Sequence, residues 1–164
     1  MNKKSKASIP VILLAAGNSS RHSNHKLLAN FDQHTLIEHT IEAFISAKVT
    51  PILVVTGAHR DRVAGHLEKY EVQEVYNNLW SKGMGRSIAK GVEACTRLYP
   101  NVQSVIISVC DQAHLDNEII KKLVEKHIAN PDKIIISKYL EGNGPPSIFP
   151  KAFFEKLMEL QDDF

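Results

Sequence analysis

The chain has 164 residues, of which 43% are hydrophobic and 23% are charged. That length and composition exclude a disordered or fibrous chain, and we expect residues 1–164 to form one globular domain. The 20 Lys and Arg residues nearly balance the 18 Asp and Glu residues, for a net charge of +2. This balance argues against a nucleic-acid binder held by phosphate neutralisation. The longest apolar run, 11–16, is far shorter than a membrane span, so we expect no membrane partner either.

The N-terminal residues allow two interpretations. Three lysines within 3–6, followed by the apolar run 9–16, imitate a secretory signal. A disordered basic tail over 1–8 that leads into a buried strand explains the same residues, and we favour it because a ligand loop of the same domain follows. Cys95 and Cys110 have no partner spacing for zinc or for a disulfide framework, so a reducing cytoplasm is the simpler location.

Short β-branched runs alternate with longer stretches of helical period, which predicts βαβ units around a parallel sheet. The predicted strands are 11–14, 52–55, 72–76, 105–109 and 134–137. Four of them are continuously apolar, as expected where helices cover both faces of the sheet, whereas 72–76 alternates and is expected nearer an edge. Right-handed connections place the first three strands in the order three, two, one, with the fourth beside the first.

Helical stripes separate these strands. They lie at 36–45, 60–69, 88–99 and 119–128, the second being the weakest. Asp116 is the predicted N-cap of the last one. Proline and glycine cluster over 142–150, which predicts a loop, and one more helix is expected to start at Phe153. The chain stops directly after that helix without a closing strand, so we expect the fold to continue beyond Phe164.

The loop after the first strand has the composition of a phosphate-binding loop. In an open α/β sheet, ligands bind beyond the carboxyl ends of the strands, where the strand order reverses. Residues 15–26 supply small residues that let a backbone approach a ligand, with Arg21 and Lys26 further along. A solvated connection with two surface cations explains the same composition. The loop lacks the Gly-Lys-Ser/Thr of a P-loop. It also lacks the second glycine after Gly17 that a dinucleotide-binding fingerprint requires.

Two further segments lie where a ligand is expected. Asp111 follows the fourth strand, where an aspartate often only caps a helix or forms a turn. Opposite a phosphate-binding loop, the same position suits Mg²⁺, which takes one or two carboxylates together with phosphate oxygens. The segment 78–87 precedes a helix whose N-terminus is able to face an anion, although its glycine pair is also ordinary turn chemistry.

The remaining histidines and cysteines predict no other chemistry. His22 and His25 lie three residues apart without a third ligand at metal-site spacing. His127 falls on an apolar helical stripe and is expected to be packed. Cys110 has no activating partner in the sequence, and no nucleophile-elbow motif indicates a hydrolase.

Taken together, these residues resemble the molybdenum cofactor nucleotidyltransferase family, and most closely its cytidylyltransferase branch. Four ordered motifs carry the resemblance over nearly the whole chain, namely 14–26, 78–91, 111–112 and 139–146. The resemblance implies an α/β, Rossmann-like nucleotidyltransferase fold with a mainly parallel sheet and helices on both faces.

The resemblance also implies roles for particular residues. The implied catalytic residues are Arg21, Lys26 and Asp111, with Asp111 as the ligand of a Mg²⁺ cofactor. The implied nucleotide-binding residues are Leu14, Ala15, Ala16, Gly17, Ser19, Asn78, Gly83 and Ser87. The implied substrate-binding residues on the acceptor side are Gln112, Gly144 and Pro146.

The implied reaction transfers CMP from CTP to the terminal phosphate of molybdopterin and releases pyrophosphate, with a molybdenum hydroxylase as a partner that receives the product. Ala16 stands where the guanylyltransferase branch typically has a second glycine, which favours CTP over GTP. Pro145 stands where the family has the histidine of Gly-His-Pro, and this leaves another phosphorylated acceptor, such as a sugar phosphate, open. GMP transfer from GTP and a non-catalytic role as a cofactor-binding chaperone are also compatible with these residues.

Overall fold

The computed structural model describes residues 8–18, 26–31, 33–140 and 142–161. Its strands are β1 (Val11–Ala15), β2 (Asn30–Phe31), β3 (His34–Thr35), β4 (Ile52–Thr56), β5 (Gln73–Tyr76), β6 (Ser104–Val109), β7 (Ile135–Tyr139) and β8 (Gly142–Pro150). Its α-helices are α1 (Leu36–Ser46), α2 (Arg60–Leu67), α3 (Met84–Leu98), α4 (Asn117–Ala129) and α5 (Phe154–Met158). The predicted N-terminal tail lies outside the described residues except for Ser8, which is exposed.

Six strands form one sheet in the order β5-β4-β1-β6-β8-β7, and β2 and β3 form a separate small hairpin. The first four strands of that order are parallel to one another. The predicted arrangement of the first four long strands is therefore confirmed, as is the position of β5 at an edge. The last two strands are antiparallel, β8 to β6 and β7 to β8.

The central strand β1 is buried on both faces because its side chains alternate between two cores. The odd-numbered residues of β1 pack in one cluster with side chains of α1, α2 and α4. Ile12 and Leu14 pack in the other, with side chains of α3 and α5. Helix α3 approaches the sheet closely at Gly91, where a Cβ would clash with the Ile12 side chain. Helices on both faces of the sheet, as predicted, account for the continuous apolar run of β1.

Two predictions at the other end of the sheet are wrong. Residues 142–150 are not a loop but strand β8, because the residues that disfavour pairing are concentrated in its first half, while Ser147–Pro150 pair with β6. The run 134–137 is not covered on both faces, since β7 is an edge strand in which Ile136 is 47% exposed. A short apolar run does not by itself distinguish a central strand from an edge strand.

The helix predictions are confirmed. Each predicted stripe lies on one of α1 to α4, and the helix expected near Phe153 is α5. The carboxylate of Asp116 accepts a hydrogen bond from the backbone N–H of Ile119 over 2.8 Å, as an N-cap does.

His127 is buried, and its Nε2 lies 2.8 Å from Ser104 Oγ, so it is a packed residue of the core. Within the described ranges, no helix has both the length and the apolar character that crossing a membrane requires.

Candidate functional site

A cleft of about 650 Å³ opens at the carboxyl ends of β1 and β6. In the sheet, β1 has β4 as its neighbour on one side and β6, which comes later in the chain, as its neighbour on the other. The strand order therefore reverses at β1, and open α/β sheets bind ligands at such a point. The residues that line the cleft are Leu14, Ala15, Ala16, Gly17, Asn18, Leu27, Trp80, Ser81, Gly83, Met84, Ser87, Val109, Cys110 and Asp111. The structure therefore brings together predicted residues from three separate segments of the chain.

The loop that follows β1 is anchored by the turn between β4 and α2. The Ala58 N–H donates a hydrogen bond to the Ala16 carbonyl over 3.2 Å. His59 Nε2 lies 3.2 Å from Asn18 Oδ1, and because an amide oxygen only accepts, the ring donates from Nε2. Two adjacent residues of the turn thus hold the start of the loop from outside the cleft.

Gly57 allows this turn to come close to the loop. A Cβ at Gly57 would lie 2.6 Å from the Ala16 carbonyl oxygen and 2.6 Å from Trp80 Cβ. Both distances are shorter than Cβ atoms tolerate, and one of the opposing atoms belongs to the backbone. Because Ala16 and Trp80 both line the cleft, Gly57 sets the distance between two of its walls.

The segment between β5 and α3 is held by a buried amide. Asn77 Nδ2 donates to Ser87 Oγ over 3.0 Å, and Asn77 Oδ1 accepts from the Leu79 N–H over 3.0 Å. These bonds fix the first turns of α3, from which Ser87 faces the cleft. Gly83 is the N-cap of that helix, with φ at 113°, a value that favours glycine. The predicted residue Asn78 is exposed and lies outside the set that lines the cleft.

Asp111 follows β6 and lines the cleft, partly buried. The preceding Cys110 is fully buried, and its burial, together with the neighbouring Asp111 carboxylate, raises the pKa of its thiol. The thiol therefore stays protonated at neutral pH and is not a nucleophile.

The donor chemistry of the cleft fits Mg²⁺ only when phosphate oxygens take part. In the part of the chain that the structure describes, no group of three or more His, Cys, Asp or Glu side chains is placed to hold a metal ion. Mg²⁺ commonly takes one or two carboxylates, with the other positions filled by phosphate oxygens and water. Asp111 suits that arrangement, since it lies in the cleft that the loop after β1 also lines.

Strands β8 and β7 lie beyond β6 in the sheet, outside the set of residues that line the cleft. Because β8 runs antiparallel to β6, its first residues lie at the carboxyl end of β6. The predicted residues Gly144 and Pro146 are here, and Gln112 reaches this strand through a hydrogen bond from its Nε2 to the Pro145 carbonyl over 2.6 Å. The predicted acceptor-side residues therefore lie together, on the opposite side of β6 from the loop after β1.

Three of the predicted site residues lie wholly or partly outside the described part of the chain. Ser19 and Arg21 lie outside the described residues, and for Lys26 the structure describes only the backbone, which starts a 3₁₀ turn. Seven lining residues were not singled out from the sequence, although Asn18, Trp80, Ser81 and Met84 lie within the predicted segments 15–26 and 78–87; the other three are Leu27, Val109 and Cys110. Three of them belong to the segment 78–87, where an aromatic ring and a methionine beside a glycine pair were an available signal.

Comparison with known proteins identifies the family. A family model described as a MobA-like NTP transferase domain matches residues 11–164. The chain belongs to this family. The predicted nucleotidyltransferase-type fold is thereby confirmed at the level of the family, and the cleft lies inside the matched residues of this MobA-like NTP transferase domain.

The MobA-like domain is also similar to individual proteins. Bifunctional protein GlmU of Francisella tularensis subsp. novicida is 28% identical over 137 residues, which are 82% of this chain and 28% of that protein. The chain thus spans less than a third of the length of this curated relative.

Among solved structures, Rv0371c from Mycobacterium tuberculosis H37Rv superimposes with a TM-score of 0.79 at 20% identity, over 95% of this chain and 78% of that one. A complex of Rv0371c with manganese also matches. The 4-diphosphocytidyl-2C-methyl-D-erythritol synthase of Anaerococcus prevotii has a TM-score of 0.70 at 16% identity, over 96% of this chain and 78% of that one. These likenesses show the fold of the MobA-like domain.

Proposed function

We propose that the protein transfers CMP from CTP to the terminal phosphate of molybdopterin and releases pyrophosphate. One observation carries the proposal. The cleft of this MobA-like NTP transferase domain brings the small-residue loop after β1 and the Asp111 carboxylate together at the point where the strand order reverses. A triphosphate and a divalent cation are the ligands that such a pair of features suits.

The proposed reaction needs positioning and charge neutralisation and no covalent nucleophile. An oxygen of the acceptor phosphate attacks the α-phosphorus in line, and the bond from that phosphorus to the bridging oxygen of pyrophosphate breaks. We assign the backbone amides of 16–19 and the Arg21 side chain to the leaving pyrophosphate, and Lys26 to the triphosphate. Asp111 holds a Mg²⁺ ion, which neutralises phosphate charge when bound.

The choice of CTP rests on Ala16. This residue, which is buried beside Gly57, stands where the guanylyltransferase branch of the resembled family typically has a second glycine. The fold-level match to a synthase whose name contains a cytidyl group, from Anaerococcus prevotii, is consistent with CTP. GTP is the second candidate donor.

A specific observation favours a second acceptor. Pro145 occupies the place of the histidine in the family pattern, and its carbonyl faces Gln112 and Tyr139 within the protein. Another phosphorylated acceptor, such as a sugar phosphate, is therefore the second candidate.

With molybdopterin as the acceptor, a molybdenum hydroxylase is the proposed recipient of the product. We place the reaction in a reducing cytoplasm, in agreement with the two free, buried cysteines. We also propose that the chain acts as a single nucleotidyltransferase domain.

The test is a turnover assay with CTP, Mg²⁺ and molybdopterin that measures pyrophosphate release and the mass of the product. Wild-type protein and the control variant Asp132→Asn, which changes an exposed aspartate at the other end of the sheet, are expected to form cytidylylated molybdopterin. Asp111→Asn is expected to lose activity by a factor on the order of 10³. Release of pyrophosphate only with a sugar phosphate would select the second acceptor. No release with any acceptor would contradict catalysis and favour a cofactor-binding role.

A further inference from the structure

The side chain of Gln112 is bonded to the protein at both ends of its amide. Its Nε2 donates to the Pro145 carbonyl over 2.6 Å and to Tyr139 Oη over 3.2 Å. Its Oε1 accepts from Ser108 Oγ over 3.4 Å. A primary amide has two N–H donors, and both have partners inside the protein.

The strand that Gln112 reaches is interrupted at the point of contact. Pairing of β8 with β6 ends at Ser147, and pairing with β7 resumes at Gly144, so Pro145 and Pro146 pair with neither neighbour. Proline has no N–H to donate, so these two residues add no backbone donor to a sheet. Side chains bond them instead, because the Ser137 hydroxyl donates to the Pro146 carbonyl over 2.7 Å in addition to the contacts of Gln112.

The Pro145 carbonyl is fully used in this arrangement. It accepts from Gln112 Nε2 over 2.6 Å and from Tyr139 Oη over 2.7 Å. A carbonyl oxygen has two lone pairs, so both are occupied. Pro145 is thus held by one residue from the β6 side and by one from β7.

The strand order indicates what the hydrogen bond from Gln112 to the Pro145 carbonyl holds in place. The loop after β1 and the first half of β8 lie on opposite sides of β6. If the triphosphate occupies the loop, in-line attack brings the acceptor in from the β8 side. Gln112, which directly follows Asp111 in the chain, links β8 to the end of β6.

We propose that Gln112 is a positioning residue that fixes the Pro145–Pro146 segment of β8 relative to Asp111, and that it does not itself contact the substrate. This role replaces the substrate contact that the family resemblance implies for Gln112. Its kinetic consequences rest on the proposed nucleotidyl transfer, whereas its structural consequence does not. Loss of the bond leaves CTP binding intact and misplaces the acceptor.

The first arm of the test needs no turnover. Hydrogen–deuterium exchange of peptides that cover 137–148 is compared in wild type, Gln112→Ala and Gln103→Ala. Gln103 is the matched control because its exposed amide donates to the Asn101 carbonyl at the other end of the sheet. Exchange over 137–148 is expected to be at least about tenfold faster in Gln112→Ala and unchanged in Gln103→Ala. Unchanged exchange in both variants would overturn the proposal.

The second arm separates positioning from binding. With CTP, Mg²⁺ and molybdopterin, Gln112→Ala is expected to lower kcat by about 10- to 100-fold while the KM for CTP stays within about twofold. Gln112→Glu, which sets a carboxylate oxygen against the Pro145 carbonyl, is expected to be at least as slow. Tyr139→Phe removes the second donor to the same carbonyl from a half-exposed ring, so it is the milder variant, and its effect is expected not to add to that of Gln112→Ala.

The kinetic outcomes that would overturn the proposal are distinct. A raised KM for CTP as the main effect would place Gln112 at the nucleotide. A raised KM for the acceptor, with kcat and exchange unchanged, would place it in direct contact with the acceptor. If wild-type protein shows no turnover, the proposed function fails, and the exchange arm alone decides the role of Gln112.

Discussion

Asn77 Nδ2 donates a hydrogen bond to Ser87 Oγ over 3.0 Å, and both residues are buried. The same amide accepts from the Leu79 N–H. One side chain thus connects the segment after β5 to the helix that presents Ser87 to the cleft.

Replacing Asn77 by alanine is expected to weaken both the fold and the site. The change leaves a buried hydroxyl and a backbone N–H without their partner, which costs about 1–3 kcal/mol of unfolding free energy. We also expect the nucleotide dissociation constant to rise by about tenfold, because the first turns of α3 lose their anchor. Urea unfolding and nucleotide titration measure the two effects. Asn101→Ala, at an exposed position at the other end of the sheet, is the control, and an equal loss in both variants would contradict this role of Asn77.

Gly57→Ala is expected to damage the cleft. The new Cβ would lie 2.6 Å from the Ala16 carbonyl oxygen, so the loop or the turn must move. We expect a loss of about 1–3 kcal/mol in unfolding free energy and weaker nucleotide binding. The matched control is Gly65→Ala, where a Cβ meets nothing within 4 Å in the middle of α2. That change is expected to stabilise by up to about 1 kcal/mol, since alanine is the better helix former. Equal effects in denaturant unfolding would disprove the role given to Gly57.

Glu38 is expected to make the free energy of unfolding depend on pH. Its carboxylate lies in the capping box of α1, 2.6 Å from Lys69 Nζ and 3.0 Å from His66 Nδ1. Burial alone would raise the pKa of Glu38, but hydrogen bonds from Lys69, the Thr35 backbone N–H and His66 outweigh it and lower the pKa from 4.5 to about 2. A carboxyl whose pKa is lower in the folded state stabilises the fold above its unfolded pKa, and this stabilisation is lost as the pH falls towards 2.

The variant Glu38→Gln tests this dependence. At pH 7 it is expected to unfold more easily than wild type by about 1–2 kcal/mol, a value reduced by solvent screening because the Lys69 side chain is 54% exposed. The difference is expected to shrink between pH 5 and pH 2. Glu93→Gln, in an exposed pair with Lys90, is expected to stay within about 0.5 kcal/mol of wild type. Urea unfolding over this pH range measures both, and a constant difference for Glu38→Gln would contradict the assignment.

The sequence predicts most of the fold because the central strands carry an unambiguous pattern. Five consecutive apolar residues in β1 are required where helices pack on both faces, and right-handed connections then fix the strand order. Strand β8 does not follow from the same rules. Its prolines and glycines coincide with a break in strand pairing, which the sequence alone does not distinguish from a loop.

The candidate site is predictable at the level of segments more than of side chains. Asp111 and the loop after β1 follow directly from their places at the ends of strands. The sequence gives no means of deciding which of two adjacent asparagines points inward, and the structure buries Asn77 and exposes Asn78. The bonding of Gln112 depends on the antiparallel direction of β8, which becomes visible only in three dimensions.

A thermal-shift measurement with CTP, GTP, ATP and UTP, each with and without Mg²⁺, tests the central claim most directly. A nucleotide at 100 times its dissociation constant adds about 2.7 kcal/mol of stability, which corresponds to a rise in Tm of roughly 5–10 °C for a chain of this size. We predict the largest rise for CTP with Mg²⁺, and its loss in Asp111→Asn but not in Asp132→Asn. A full response to CTP in Asp111→Asn, or no response of wild type to any nucleotide with Mg²⁺, would contradict a metal-dependent nucleotide site in this cleft.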